Sequence, residues 1–459
     1  MNVTRVLVAN RGEIAVRVIR ACKTLGIEAV AAVSEADRES LAAKMADRAV
    51  CIGPARSADS YLKPQALVAA ALAMGCDALH PGYGFLSEKT ELAQLCADNK
   101  ITFVGPTPQN IIEMGDKLAA RRIAASCGVP TTPGSDKAKN YQEAAALAEQ
   151  IGYPVLLKAS AGGGGRGIKL VRSSGEMQPI FITASAEARA AFGDDTIYME
   201  KYVENARHIE VQLLGDRFGN VIHLGERDCS LQRRYQKVIE EAPASCIDEG
   251  LRGKICNAAV TLGRTIGYQN AGTVEFIFDQ DTRQFYFLEM NTRIQVEHPV
   301  TEMITGVDLV AQQFLIARGL PLSIEQADIH RKGHAIECRI NAESPQHGFR
   351  PCPGRITGWR PAEGAGIRVD SHCFTGYFVP PYYDSLLAKL IVHGGNRTDA
   401  VARTKQALTG FLIEGIDTGI PFLRAVLDDP DYLNGEVNIH WLEGKLEEYS
   451  ASFSKQQTS

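Results

Sequence analysis

The first hundred residues alternate short apolar runs with helical periodicity, and this alternation limits the possible folds more than any other feature. Apolar runs at Arg5–Ala9 and Ile27–Val33 are typical of buried strands, and Glu13–Leu25 between them has the apolar spacing of a helix. Further strand-like runs follow at Ala78–His80 and Ile101–Val104. Strands that alternate with helices of this length favour a parallel sheet. The sequence therefore predicts a Rossmann-like N-terminal domain, to which we assign residues 1–115.

The turn after the first strand lacks the glycine fingerprint of a dinucleotide site. It contains Asn10, Arg11, Gly12 and Glu13 in place of the Gly-x-Gly-x-x-Gly spacing that lets a helix N-terminus approach a pyrophosphate. We therefore expect this domain not to hold a nucleotide by that mechanism.

A stretch rich in turn formers, Gly128–Gly134, marks a boundary or hinge before a second pattern. A helix is predicted over Tyr141–Ile151 and strands over Pro154–Ala159 and Ile168–Val171. Beyond residue 203 the strands lengthen and alternate apolar with polar residues, as at His208–Leu214. This alternation predicts a large antiparallel sheet, so the whole chain combines α/β and α+β organisation.

Four consecutive glycines, Gly162–Gly165, lie between the two strands of the second pattern. Without Cβ atoms, the backbone N–H groups of such a loop can approach a polyanion closely. No Gly-Lys-Ser/Thr follows and the next segment is strand-like, so this is not a Walker A motif. We interpret it as a phosphate-covering hairpin; a linker without a ligand is the alternative. Lys158 and Lys117 are by themselves either phosphate ligands or ordinary exposed lysines.

Carboxylates in apolar strands indicate a cation site. Glu289 and Asn291 lie two residues apart on a predicted strand and therefore project from one face, and Glu275 is embedded in another apolar strand. An unpaired buried charge is costly, and Mg²⁺ accepts hard oxygen ligands of this kind. Structural salt bridges to arginine are the alternative.

Next in the chain, Arg293 is suited to bind a planar anion and Glu297 to act as a general base, unless this segment is a solvated charged loop.

Charge and cysteine usage exclude several classes of function. The 49 Lys and Arg against 54 Asp and Glu give a net charge of −5, which provides no basic surplus for nucleic acid or an anionic membrane. We see no signal-peptide pattern and no apolar stretch long enough for a membrane span. The eleven cysteines are scattered without a Cys-x-x-Cys pair. We therefore expect a cytoplasmic protein with reduced thiols.

Four motifs in order resemble those of the biotin carboxylases of the ATP-grasp superfamily, and the resemblance runs from about residue 4 to about residue 446. These motifs are Ala9–Ala15, His80–Glu88, Arg227–Arg234 and Glu289–His298. The resemblance implies an ATP-grasp domain over 116–320 with a mobile lid at 131–203, an antiparallel-sheet C-terminal domain over 321–447, and a flexible tail at 448–459. It also implies ATP- and Mg²⁺- or Mn²⁺-dependent carboxylation of biotin by bicarbonate through carboxyphosphate.

The resemblance also implies roles for individual positions. ATP contacts are expected at Lys117, Lys158, Gly163, Gly164, Gly165, Glu200, Lys201, Tyr202, Val203, His208, Tyr235, Glu275 and Glu289. Metal ligands are expected at Glu275, Glu289 and Asn291, and bicarbonate contacts at Lys237, Arg293, Gln295 and Val296. The expected catalytic residues are Glu297, Arg293, Arg339 and Lys237. Biotin contacts are expected at Arg339, which would stabilise the enolate form, and at Asp384.

Two positions depart from the family pattern, and the resemblance also implies separate partner proteins. Tyr235 stands where members often carry histidine, which affects one ATP contact. Thr24 replaces a glutamate that can pair across the homodimer interface. The chain shows no Met-Lys-Met-like biotin attachment site and no carboxyltransferase segment. We therefore expect a separate biotin carboxyl carrier protein and separate carboxyltransferase subunits.

The sequence leaves open which molecule finally accepts the carboxyl group, and it leaves two rival functions. An acetyl-CoA carboxylase complex is favoured over those for another acyl-CoA or pyruvate. The first rival is an ATP-grasp ligase that delivers an acyl phosphate to an amine; the second is a non-catalytic nucleotide-binding regulator. The retention of Glu275, Glu289, Asn291 and Glu297 argues against the second rival.

Overall fold

The computed structural model describes residues 3–160 and 167–456. Its N-terminal part is a five-stranded parallel sheet of order β3-β2-β1-β4-β5 with helices between the strands, which confirms the predicted Rossmann-like arrangement. The elements are β1 Arg5–Val8, α1 Gly12–Thr24, β2 Glu28–Ser34, α2 Leu41–Met45, β3 Arg48–Gly53, α3 Pro64–Ala73, β4 Ala78–His80, α4 Thr90–Asp98, β5 Thr102–Phe103 and α5 Pro108–Gly115.

A small four-stranded antiparallel sheet of order β6-β9-β7-β8 follows, covered by two helices. Its core is built only from residues between Ala138 and Met199, so this unit packs largely on itself. Strands β7 and β8 form a hairpin, and the glycines predicted to cover phosphate lie between them, outside the described residues. The elements are α6 Lys117–Ser126, β6 Gly134–Ala138, α7 Tyr141–Ile151, β7 Val155–Ala159, β8 Ile168–Val171, α8 Ser174–Phe192 and β9 Ile197–Lys201.

An eight-stranded antiparallel sheet of order β14-β13-β10-β11-β12-β15-β22-β20 forms the centre of the molecule, as the strand alternation predicts. It takes strands from both sides of residue 321, so the second and third expected domains share it. The elements up to that residue are β10 Ala206–Gly215, β11 Val221–Arg233, β12 Gln236–Ala242, α9 Glu249–Thr265, β13 Asn270–Asp279, β14 Gln284–Asn291, α10 His298–Thr305 and α11 Leu309–Ala317.

The C-terminal elements complete this sheet and cover it. They are β15 His334–Asn341, β16 Glu343–Ser344, β17 Arg350–Pro351, β18 Gly354–Arg355, β19 Gly358–Arg360, β20 Ile367–Ser371, β21 Phe378–Val379, β22 Leu386–Gly394, α12 Arg397–Gly410, β23 Leu412–Glu414, α13 Ile420–Asp428, α14 Pro430–Asn434 and α15 Trp441–Gln456. Helix α15 extends to Gln456, into the segment 448–459 that we expect to be a flexible tail.

Two bulges in the central sheet decide which side chains meet. In β14 the register shifts so that Glu275 pairs with Glu289, while the next residue of β13, Phe276, pairs with Phe287. In β12 the register shifts between the partners of Leu231 and Gln232, which adds a residue to that strand. An added residue reverses the alternation beyond it, and this allows Lys237 and Glu240, three positions apart, to face one side of the sheet.

Neither a disulfide nor a single spanning helix is found in the described part of the chain. All eleven cysteines are free, in agreement with the expectation of reduced thiols. Only α10 and α11 taken together, with a 96° bend between them, have the length and apolar composition that could cross a membrane.

Candidate functional site

A cavity of about 600 Å³ lies where the parallel sheet, the small sheet and the central sheet meet. Every site residue predicted from the sequence lines it, apart from Gly163, Gly164 and Gly165, which fall outside the described residues. The prediction that distant segments converge on one pocket is therefore confirmed for the described residues, although lining a cavity does not by itself assign a role.

The end of the cavity beneath the β7–β8 hairpin is cationic. Asp116 caps α6 by accepting hydrogen bonds from the N–H groups of Leu118 and Ala119, at 2.9 Å each, and this starts the helix at Lys117. Lys158, at the end of β7, is buried and makes an ion pair with Glu200. Lysines from two units thus face the same space.

Glu200 pairs with a second cation that the sequence analysis missed. Arg121 donates to Glu200 at 2.8 Å. Burial would raise the pKa of Glu200, but the charges of Lys158 and Arg121 outweigh it and hold that pKa below its usual range. Arg121 lies four residues after Lys117 and therefore on the same helix face, which is the signal that could have identified it. In this structure Glu200 therefore holds the side chains of Lys158 and Arg121 in place.

Part of the cavity lining is aromatic. Lys201 is tied to the backbone, since its ammonium donates to the carbonyls of Gly152 and Tyr153 at 2.9 and 3.0 Å. The hydroxyl of Tyr202 lies 2.8 Å from Nε2 of His440, a residue from the far end of the chain that sequence reasoning did not find. Tyr235 occupies the β11–β12 turn with a φ of +64° and is 57% exposed.

Three carboxylates form a row across the central sheet. Glu210 of β10 pairs in register with Glu275 of β13, which pairs with Glu289 of β14. Directly opposed like charges are unfavourable, so this row requires cations. Lys237 bridges Glu210 and Glu275 at 2.5 and 3.3 Å, and Lys117 lies 3.2 Å from Glu289. Glu210 was missed, although its position two residues after His208 on a strand places both side chains on one face.

Glu275 is the most heavily engaged member of this row. It accepts hydrogen bonds from Gln295 at 2.7 Å and Asn291 at 2.9 Å, and it lies 3.0 Å from Nε2 of His208. Burial would raise the pKa of Glu275, but the charges of Lys237 and His208 lower it well below its usual range. A carboxylate held ionised in this way fits the ligand chemistry of a hard divalent cation.

Glu297 lies between two cations in the deepest part of the cavity. Lys237 donates to one of its oxygens, and Nη2 of Arg339 donates to the other at 3.0 Å. Burial would raise the pKa of Glu297, but Lys237, Arg339 and the fully buried Arg227 keep it far below its usual range. The side chain is therefore a fixed, ionised hydrogen-bond acceptor at physiological pH.

The neighbouring polar groups are themselves oriented by hydrogen bonds within the protein. Arg293 donates to Glu88 at 3.0 Å and to Asn291 at 2.8 Å. Arg227 donates to the side-chain oxygen of Gln295 at 2.8 Å. The carbonyl of Val296 accepts from Lys389 at 2.8 Å. These bonds preorganise the site before any substrate is present.

Asp384 lies at the mouth of the cavity rather than in its depth. It is exposed, and its carboxylate accepts a hydrogen bond from the N–H of Leu386 at 3.1 Å. The structure thus brings Asp384 to the same cavity as Arg339, but it shows no direct contact between them.

The fold and the cavity are those of an ATP-grasp enzyme, with the cavity bordered by a small sheet and a larger one. Three family models match successive parts of the chain: the biotin carboxylase N-terminal domain at residues 2–111, the ATP-binding domain of the carbamoyl-phosphate synthase L chain at 116–325, and the biotin carboxylase C-terminal domain at 337–444. The chain belongs to the biotin carboxylase family, whose members are ATP-dependent ligases.

Similar proteins cover nearly the whole chain. The biotin carboxylase of Nostoc sp. is 53% identical over 444 residues, which are 96% of this chain and 99% of that protein. The biotin carboxylase–βγ-ATP complex from Campylobacter jejuni has a TM-score of 0.93 at 47% identity and covers 96% of this chain and 99% of that one. The biotin carboxylase domain dimer of Hydrogenobacter thermophilus 2-oxoglutarate carboxylase, with MgADP, ADP and bicarbonate, has a TM-score of 0.93 at 49% identity and covers 97% and 98%.

Proposed function

We propose that this chain carboxylates biotin on a separate carrier protein, using ATP and bicarbonate and passing through carboxyphosphate. The observation that carries the proposal is the position of Glu297, held between Lys237 and Arg339 beside the row of carboxylates. A base, two cations and a candidate metal site in one cavity are what is needed to join bicarbonate to a phosphoryl group. The relatives that contain ATP analogues, MgADP and bicarbonate support it.

The first step is deprotonation of bicarbonate by Glu297 as it attacks the γ-phosphate. With its low pKa, Glu297 is a weak base, so the proton transfer is uphill unless it is coupled to P–O bond formation. The negative charge of bound bicarbonate would also offset Lys237 and Arg339 and thereby raise the proton affinity of Glu297. We assign Lys237, Arg293, Gln295 and Val296 to the bicarbonate pocket, since all four line the same cavity as Glu297.

Electrostatic neutralisation supplies most of the rate enhancement in this proposal. Attack of bicarbonate on ATP joins two anions, and the charge that develops on the phosphoryl oxygens requires nearby cations. Lys117 and Lys158 face that region from two structural units. The adenine is assigned to the segment from Glu200 to Val203, with Tyr235 at the pocket edge.

Glu275, Glu289 and Asn291 are the proposed ligands of Mg²⁺ or Mn²⁺. The fit rests on this structure: Glu275 and Glu289 are opposed in register as two hard oxygen donors, and the amide of Asn291 lies beside them, donating to Glu275. When bound, the divalent ion would neutralise the phosphates of ATP. In this structure Lys117 forms an ion pair with Glu289, and Lys237 forms one with Glu275.

Biotin carboxylation is assigned to the region around Arg339. Carboxyphosphate would break down to carbon dioxide and phosphate, and the phosphate would accept the proton of the ureido nitrogen. The guanidinium of Arg339 would stabilise the negative charge on the ureido oxygen while that nitrogen attacks carbon dioxide to form the new N–C bond. We place Asp384 among the residues that meet biotin at the cavity mouth. Exclusion of water by the closed site would protect carboxyphosphate from hydrolysis.

We propose the division 1–115, 116–320 and 321–447, with residues 131–203 as a mobile lid. The separate hydrophobic core of the small sheet supports its movement as a unit. The homodimer is also a proposal, supported by the dimer of the Hydrogenobacter thermophilus relative. Thr24 is exposed and its hydroxyl donates back to the carbonyl of Arg20, so we expect no cross-subunit ion pair from this position.

The proposed physiological role is the first half-reaction of a multi-subunit carboxylase, for which acetyl-CoA is our preferred final acceptor. The test of the core activity is ATP hydrolysis measured with bicarbonate, in the presence and absence of free biotin. We expect bicarbonate-dependent hydrolysis that biotin stimulates. No response to biotin would favour the rival ATP-grasp ligase that delivers an acyl phosphate to an amine. Isolation of the native complex, with identification of its carrier and carboxyltransferase, would test the acceptor.

A further inference from the structure

Two buried carboxyl groups lie behind Arg339, and the proposed chemistry does not use them. Glu240 of β12 and Glu337 of β15 are directly opposed in antiparallel register. Both side chains are fully buried, with 0% exposure. Directly opposed residues of neighbouring strands have their Cβ atoms about 5 Å apart on one face of the sheet. Two ionised carboxylates at that separation, away from water, would repel each other strongly.

The hydrogen bonds of the pair are unequal. One oxygen of Glu240 accepts a hydrogen bond from Nε of Arg339 at 2.6 Å, and Nη2 of Arg339 lies 2.5 Å from the same oxygen as an ion pair. The other oxygen of Glu240 and both oxygens of Glu337 have no hydrogen-bond partner among the described residues. An unpartnered buried carboxylate is costly, and addition of a proton removes the charge and creates a donor. A proton on Glu337 would therefore remove the repulsion between the two carboxylates and would supply a hydrogen-bond donor to this group of unpartnered oxygens.

The charged groups around the pair favour the same assignment. Lys389, Arg339 and Lys237 face it as cations and Glu297 as an anion, while the thiols of Cys229 and Cys338 are buried and have raised pKa values. Lys389 is already engaged by Glu13 at 3.1 Å and by a backbone carbonyl. Burial raises the pKa of Glu337 well above its usual range, and Glu240 adds to this, while Lys389 opposes it. Burial raises the pKa of Glu240 to about 7 against the charge of Arg339.

We propose that Glu240 and Glu337 hold one proton between them and act together as positioning residues for Arg339. Ionised Glu240 holds the guanidinium by a hydrogen bond from Nε and an ion pair with Nη2, and Glu297 accepts a second hydrogen bond from Nη2. Protonated Glu337 shields Glu240 from a second negative charge. This inference rests on the proposed function, because it assigns the orientation of the arginine that faces biotin.

Loss of the shared proton should weaken the carboxylation of biotin. A second negative charge behind Arg339 would offset the guanidinium and weaken its stabilisation of the biotin enolate. The bicarbonate-dependent cleavage of ATP involves Arg339 only through Glu297, and so it should respond less. Biotin carboxylation is therefore expected to decline at alkaline pH where Glu337 ionises, before ATP cleavage does.

The test uses three isosteric or truncating variants of the full-length protein: Glu240→Gln, Glu337→Gln and Glu337→Ala. We expect Glu240→Gln to lower kcat/KM for free biotin by about tenfold or more, the effect of losing a charge-assisted hydrogen bond, with a smaller loss of biotin-independent ATP cleavage. Glu337→Gln mimics the protonated acid and should retain biotin carboxylation at neutral pH while abolishing its alkaline decline. Glu337→Ala should lose activity that the glutamine variant keeps.

Glu241→Gln is the matched control. Glu241 is the next residue on the same strand, and its carboxylate pairs with His334 and Arg397, each at 2.8 Å, away from Arg339. Its replacement should lower thermal stability without changing the ratio of biotin carboxylation to ATP cleavage. Circular dichroism would confirm that each variant is folded. An infrared carbonyl band of a protonated carboxyl group should be present in the unmodified protein and absent in Glu337→Gln.

The outcomes distinguish a failure of the proposed function from a failure of the shared-proton inference. If the unmodified protein shows no biotin-stimulated activity, the proposed function fails. If biotin stimulates it but Glu337→Gln is impaired as much as Glu240→Gln, or keeps the same alkaline decline, the shared-proton inference is overturned. Equal loss of biotin carboxylation and ATP cleavage in Glu240→Gln would likewise overturn its positioning role.

Discussion

Replacement of Lys237 with methionine would remove the cation around which three carboxylates are arranged. The ammonium contacts Glu210 at 2.5 Å and Glu275 at 3.3 Å, and it pairs with Glu297. Breaking a buried ion pair by removing one partner costs about 3–5 kcal/mol, because the remaining charge is left uncompensated. For a cooperative unit of ordinary domain size, such a loss corresponds to a decrease in Tm of about 10 °C.

The predicted stability loss depends on pH in a definite direction. The folded-state pKa of Glu297 lies below its unfolded value, so its ionised form stabilises the fold above about pH 4.3, and this stabilisation disappears as the pH falls further. Without Lys237 that stabilisation is largely lost, because the buried carboxylate becomes easier to protonate. The difference between variant and unmodified protein should therefore be fully present at about pH 7 and should shrink at about pH 3, below the unfolded pKa of a glutamate.

Thermal unfolding followed by circular dichroism at both pH values would test this reasoning, with Lys254→Met as the matched control. Lys254 is exposed on α9, so we expect its replacement to change stability by no more than about 0.5 kcal/mol. If Lys237→Met unfolds at the same temperature as the control, or if its deficit grows toward acid pH, the carboxylates are not held by this lysine and the electrostatic account of the site is wrong.

Three further substitutions test separate parts of the proposal. Glu297→Gln cannot accept the bicarbonate proton and should lower turnover by about 10²–10⁴-fold with ATP affinity nearly unchanged; unaltered turnover would remove Glu297 from its role as base. Arg339→Ala should impair carboxylation of biotin more than bicarbonate-dependent ATP cleavage, and equal losses would contradict its assignment to biotin. Glu289→Gln should raise the Mg²⁺ concentration for half-maximal ATP cleavage by about tenfold, measured by titration, whereas an unchanged requirement would exclude Glu289 as a ligand.

Local periodicity and ordered motifs were sufficient to predict much of this protein. The helix Tyr141–Ile151 and the strand Ile168–Val171 have the bounds that the sequence predicts, because their apolar spacing and flanking turn residues are local signals. The parallel N-terminal sheet follows from strand and helix alternation. The candidate cavity residues were identified by motif resemblance, and those in the described part of the chain do line one cavity.

Only the tertiary structure decided which charges oppose each other. The row Glu210, Glu275 and Glu289 depends on the register of three strands and on a bulge in β14, and the pair Glu240 and Glu337 depends on strands joined by a long intervening segment. A one-residue shift in either register would turn these side chains to the other face of the sheet. Register is set by the packing of the whole sheet rather than by neighbouring residues, so the sequence alone could indicate the charged groups but not their partners.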